Sequence, residues 1–138
     1  MADARATLEA YYGAWAAGNA ELLDDLLTDD YVDRDAFPGF PADKAGAKLV
    51  LGSIMGQTRD VDMQLGHMIV EGDLAAAHWA MEWTQVGDFM GMVPADGKRL
   101  RLRGHDFFRL EDGLIAEVWH CEDTLGVMQQ LGVAAPPS

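Results

Sequence analysis

Two residues near the C-terminal end of the chain have types and spacing suited to proton transfer: Asp106 in RGHDFFRL and His120 in IAEVWHCE. Between them Asp112-Gly113 is a hairpin turn signal, so the flanking apolar runs read as antiparallel neighbours. Side chains alternate along a strand, which groups Asp106 with Phe108 and Leu110, and His120 with Ala116 and Val118. Counted back from the turn, Asp106 and His120 occupy nearly opposed positions, within cross-strand or diagonal reach. A carboxylate beside an imidazole orients the ring and stabilises its charged form. An ordinary imidazole, with a pKa of about 6.5, suits proton transfer near neutral pH. The same pair could also be a purely structural hydrogen bond in a partly buried sheet.

The elements that must position this pair follow from periodicity. Leu8, Tyr11, Tyr12 and Trp15 recur at helical spacing within residues 4–17, and Gly18-Asn19 ends that helix. Asn19 can cap a short second helix carrying Leu22, Leu23, Leu26 and Leu27. Tyr31-Val32-Asp33 reads as a short strand, and Phe37-Pro38-Gly39-Phe40-Pro41 as a loop. Asp43 can cap a third helix with Ala47, Leu51, Ile54 and Met55 near one face. Beyond Val61, turn signals at Gly72-Asp73, Asp96-Gly97 and Asp112-Gly113 separate strands at about 61–71, 74–86, 98–110 and 114–121. A last helix covers about 123–131, and the tail 134–138 should fray. Helices followed by a meander of long strands indicate an α+β domain spanning 1–138. On the strand 74–86, Trp79, Met81, Trp83 and Gln85 share the more apolar face, which is expected to turn toward a pocket. Met55 could line the same cavity, with Phe89, Met90 and Met92 as an adaptable lid. For each of these, ordinary core packing is the competing reading.

Composition narrows the function. The chain has 138 residues, enough for one domain without staples, and 49% of them are hydrophobic. Asp and Glu number 23 against 10 Lys and Arg, a net charge of −13 that repels nucleic-acid backbones and anionic membranes. Cys121 is the only cysteine, so no intrachain disulfide forms. The N-terminus lacks the apolar centre of a signal peptide, and no apolar run approaches the roughly 18 residues of a membrane span. A soluble, cytoplasmic protein is expected. His67, His78, His105 and His120 lack short ligand spacing, and His105 alternates away from the face of His120, so no metal is expected. There is no phosphate-binding glycine loop. Ser53 and Ser138 are the only serines, and neither sits in a nucleophile motif.

AWAAGN followed by LLDDLLTDDYVD, and the stretch GDFMGMVPADGKRLRLRGHDFFRLEDGLIAEVWHCEDTLGVMQQLG, together resemble the SnoaL-like polyketide cyclases of the nuclear transport factor 2-like superfamily. The resemblance covers residues 5–132, with an apparent one-residue insertion around Val93–Gly97. It implies a cone-shaped, strongly curved, mixed or antiparallel sheet wrapped around the N-terminal helices and enclosing a deep pocket. It also implies a small hydrophobic or aromatic, polyketide-like ligand, intramolecular aldol ring closure without a cofactor, and a homodimer paired through the outer sheet face, where Phe107 and Trp119 would otherwise be exposed.

The family's pocket carboxylate, its acid/base, aligns with His120, and its pocket histidine aligns with Asp106. The pair is thus present with its members exchanged. On that basis His120 is expected to be the general acid/base and Asp106 its orienting partner. Asp33 aligns with a polar pocket residue and Trp15 with a pocket aromatic; Tyr12 lies three residues before Trp15, and Phe108 shares the Asp106 face. Two alternatives stay open. One is a proton-shuttling isomerase of the ketosteroid type, with Tyr12 in an oxyanion hole. The other is a binding domain without catalysis, in which His120 and Asp106 would not meet. Epoxide hydrolase relatives carry an Arg two residues before the pocket Asp, and here that position is Gly104.

Overall fold

The computed structural model describes residues 3–134. Helix α1 (Ala4–Ala17) stops where Gly18 adopts φ 64°, and Asn19 caps a 3-10 helix at Ala20–Asp25 by accepting the Glu21 N–H at 3.1 Å. Strand β1 (Leu27–Asp33) starts four residues earlier than Tyr31, because Leu27 leaves the expected second helix and enters the sheet. Helix α2 (Lys44–Met55) is capped by Asp43, as its sequence requires. Strands β2 (Thr58–Glu71), β3 (Leu74–Gln85), β4 (Arg99–Glu111) and β5 (Leu114–Glu122), then helix α3 (Thr124–Gln130), complete the order. The tail residues 135–138, expected to fray, lie outside the described residues.

The five strands form one curled, unclosed sheet in the order β1-β5-β4-β3-β2. Strands β2 to β5 are a meander of antiparallel hairpins, while β1 joins β5 in parallel. The curl has a local cause in β2, whose register shifts between Arg59 and Asp62 and again between Leu65 and Met68. Such irregularities bend a strand and increase its twist. The second one takes the His67 N–H out of the ladder, and His78 Nε2 accepts it at 2.9 Å with its ring lying over Gly66, where a Cβ would meet His78 Cε1 at 2.2 Å. His67 and His78 therefore serve the bulge. Among the described residues no group of three or more His, Cys, Asp or Glu is arranged to hold a metal.

The concave face carries the core. Along β4, Leu100, Gly104, Asp106, Phe108 and Leu110 are buried while Arg99, Arg101, Arg103, His105 and Phe107 are exposed, the alternation expected of a sheet covered on one side. Helix α1 lays Leu8, Tyr11 and Tyr12 on this face, and Thr7 Oγ1 donates to the Gly113 carbonyl at 2.6 Å, tying the helix to the β4–β5 turn. The convex face leaves Phe107 and Trp119 exposed in an edge-to-face contact. Among the described residues no helix is long and apolar enough to cross a membrane.

Candidate active site

A partly enclosed cavity of about 100 Å³ opens between α1, α2 and the concave face. Its polar end is built by Asp33 from β1, Asp106 from β4, and His120 and Glu122 from β5. Trp15, Tyr12, Met55 and Trp79 line it. A space of this size takes a single ring, since an engineered cavity of roughly 150 Å³ holds benzene.

Asp106 and His120 are direct register partners on β4 and β5, as the count from the turn requires. They do not hydrogen-bond to each other; each has other partners, and the expectation that Asp106 orients His120 is corrected on that point. His120 Nε2 lies 3.0 Å from both oxygens of Asp33, and Nδ1 lies 2.6 Å from Glu122 Oε1. Burial favours the neutral ring, but the hydrogen bonds and charges of Asp33 and Glu122 outweigh it and push the imidazole up to about 10. His120 is therefore an imidazolium at neutral pH with both nitrogens engaged. Phe37 packs its ring 5.2 Å from the imidazole, and Asp35 accepts the His120 backbone N–H at 2.9 Å.

Asp106 has only neutral donors. Tyr12 Oη donates to Oδ2 at 2.6 Å and Trp79 Nε1 donates to the same oxygen at 3.0 Å. Among the described residues none donates to Oδ1, which is left to the cavity. Burial raises this carboxyl to about 6; the Tyr12 hydrogen bond opposes the rise and the Glu122 charge adds to it. Gly104 makes the Trp79 contact possible: a Cβ there would meet the indole Cζ2 at 2.5 Å. Where the epoxide hydrolase pattern has an arginine, this chain has a glycine over which an indole lies. Phe108, fully buried, holds Tyr11 and Tyr12 by edge-to-face contacts at 5.5 and 6.2 Å.

Several expected ligand contacts are not cavity residues. Phe108 is core. Trp83 and Gln85 do face inward, but they lie deeper along β3, where Trp83 Nε1 donates to Gln85 Oε1 at 2.9 Å. Met90 and Met92 are exposed and do not cover the cavity, because the 86–98 loop is folded back by the Phe89–Val93 bridge at the far end of β3. Among the cavity residues that escaped the sequence reading are Glu122, Tyr31 and Phe37. Alternation could have found two of them, since Glu122 follows His120 by two and Tyr31 precedes Asp33 by two. Burial and the neighbouring charges of Asp33 and Asp106 hold the Tyr31 phenol well above its usual range.

A curled α+β sheet closed by N-terminal helices, with an acid-lined cavity on its concave face, defines the nuclear transport factor 2-like class. The sequence model of the SnoaL-like polyketide cyclases matches residues 5–131, and the chain belongs to that family. Similar solved structures include TsrD from Streptomyces laurentii, at 30% identity and a TM-score of 0.83, covering 94% of this chain and 95% of that one. IdmH from Streptomyces antibioticus, described as a candidate polyketide cyclase, follows at 28% identity and a TM-score of 0.79, covering 94% and 98%. A candidate polyketide cyclase from Acidithiobacillus ferrooxidans is 26% identical with a TM-score of 0.78, covering 96% of each chain. Among curated proteins, none matches.

Proposed function

We propose that the protein is a cofactor-independent cyclase-type enzyme whose acid/base is Asp106, with His120 as a positioning residue. The observation that carries this reading is the contrast in free valence. Asp106 presents an unoccupied carboxylate oxygen to the cavity and is raised to about 6 by burial, so it is ionised yet basic at neutral pH. A catalytic base is most useful with a pKa near the working pH. His120 has neither property, because it already holds its proton and both nitrogens are hydrogen-bonded. The roles inferred from the family alignment are thereby exchanged.

In the reaction, Asp106 Oδ1 removes a proton from a carbon next to a carbonyl, and the C–H electron pair passes into the enolate. The enolate carbon then forms the new C–C bond to a second carbonyl of the same molecule. The alkoxide so formed takes back the proton from Asp106. Tyr12 and Trp79 hold Oδ2 so that Oδ1 stays aimed, and the Tyr31 hydroxyl, which lines the cavity, is a donor for the enolate oxygen. The cavity supplies one conformer and excludes water.

The first half-reaction can be tested alone. In D2O, the protein should accelerate deuterium exchange at the α-carbon of a β-diketone bearing one aryl ring, with the rate rising through about pH 6. Asp106→Asn should lower that rate by roughly 10²–10⁴-fold, the usual contribution of a positioned base. Exchange by the variant equal to that of the wild type, with the fold intact by circular dichroism, would leave a binding domain as the better reading.

A further inference from the structure

We propose that the ligand of this cavity carries a positively charged nitrogen beside a ring. The inference rests on the cavity being the substrate site. Its support is the charge and donor inventory of the lining. Three carboxyl groups, Asp33, Asp106 and Glu122, face one imidazole, and among the described residues no Lys or Arg lines the space. Four of the donors of this end are already spent, Tyr12 Oη and Trp79 Nε1 on Asp106 and both nitrogens of His120 on Asp33 and Glu122, which leaves tyrosine hydroxyls such as that of Tyr31 to a ligand. An anionic ligand would meet repulsion and few donors. A ligand that brings its own positive charge finds the unoccupied Oδ1 of Asp106 waiting as acceptor.

The rest of the lining suits the same chemistry. Tyr11, Tyr12, Trp15, Tyr31, Phe37 and Trp79 surround the carboxyl end. Aromatic rings attract cations through their quadrupoles, most strongly where water is excluded. The chain's net charge of −13 adds a field that draws cations toward the protein from a distance. The cavity of about 100 Å³ sets the size of the buried part at one ring.

The test uses the whole chain and three probes of matched shape followed by NMR titration: benzyltrimethylammonium, its neutral isostere neopentylbenzene, and phenylmethanesulfonate. The cation should bind about tenfold more tightly than the neutral isostere, and the anion should not bind detectably. Asp106→Asn and Glu122→Gln should each reduce the cation's advantage, which separates binding in the cavity from attraction to the acidic surface. Should one variant fail to fold, the other still reports. Equal affinity for cation and neutral probe, measurable binding of the anion, absence of saturable cation binding, or a cation advantage unchanged in both variants would each overturn the proposal. Because only binding is measured, this result is independent of the exchange assay: a lost cation preference with intact Asp106-dependent exchange rejects this inference alone.

Discussion

The two ends of the Asp106–His120 register pair handle buried charge in opposite ways. At Asp106 a single carboxyl receives two neutral hydrogen bonds and no cation of its own. At His120 one imidazole is bracketed by two carboxyls. Both pKa values rise, for different reasons. Desolvation lifts the first to about 6 because nothing nearby fully compensates its charge. Ion pairing lifts the second to about 10 because compensation is excessive. A group left incompletely paired stays adjustable near neutral pH, whereas a group paired twice is locked in one protonation state. In the proposed mechanism the locked ion group holds the cavity's end together, and the adjustable one exchanges protons.

The largest effect on stability should come from breaking the locked group. His120→Gln removes the cation between Asp33 and Glu122 and should cost about 2–4 kcal/mol near pH 6, somewhat less than a fully buried network because the two carboxyls keep some contact with water. The sign follows from the raised pKa of the folded state. The stabilisation is complete below the unfolded value of about 6.5 and is lost as pH rises through about 10. The difference in thermal midpoint between wild type and variant should therefore shrink steadily from pH 6 to pH 10.

Asp106→Asn should act in the opposite direction on stability while removing activity. The folded pKa of about 6 lies above the unfolded value, so the ionised carboxyl penalises folding above about pH 6 and the penalty vanishes below about pH 4. The amide mimics the protonated form, and at pH 8 it should gain about 1–2 kcal/mol. Denaturant melts at pH 8 and pH 4 check this; equal midpoints for the two proteins at pH 8 would contradict the uncompensated charge.

The smallest and sharpest change is Gly104→Ala. Its methyl group would displace the Trp79 indole and weaken one of the two hydrogen bonds to Asp106. Losing a bond to the charged form raises a carboxyl further. The acid limb of the exchange rate should move up by about half a unit, with Trp79→Phe moving it the same way.

Much of this was legible in the chain itself. The Asp43 and Asn19 caps, the Gly18 stop, the turn at Asp112-Gly113 and the alternation of β3, β4 and β5 are local effects of backbone geometry, and they appear where expected. Strand ends were less so. Ending β5 at Cys121 rather than Glu122 hid the second partner of His120, and reading Leu27 into a helix shortened the strand that delivers Tyr31 and Asp33. The lid expectation failed because Met90 and Met92 are suited by type to cover a ligand, yet the Phe89–Val93 bridge holds their loop elsewhere.

The sequence by itself determined which residues face inward and that Asp106 and His120 stand opposite one another, because a period of two and a tight turn leave little choice of register. It also determined the charge imbalance that fills the cavity with carboxyls. Only the tertiary structure decided which of those groups bond. Asp33 reaches His120 across 87 residues because β1 pairs in parallel with β5, and Tyr12 reaches Asp106 across 94 because α1 packs on the sheet. Hydrogen bonds are made by whichever donor and acceptor come within about 3 Å, and strand alternation carries no information about groups delivered from another layer.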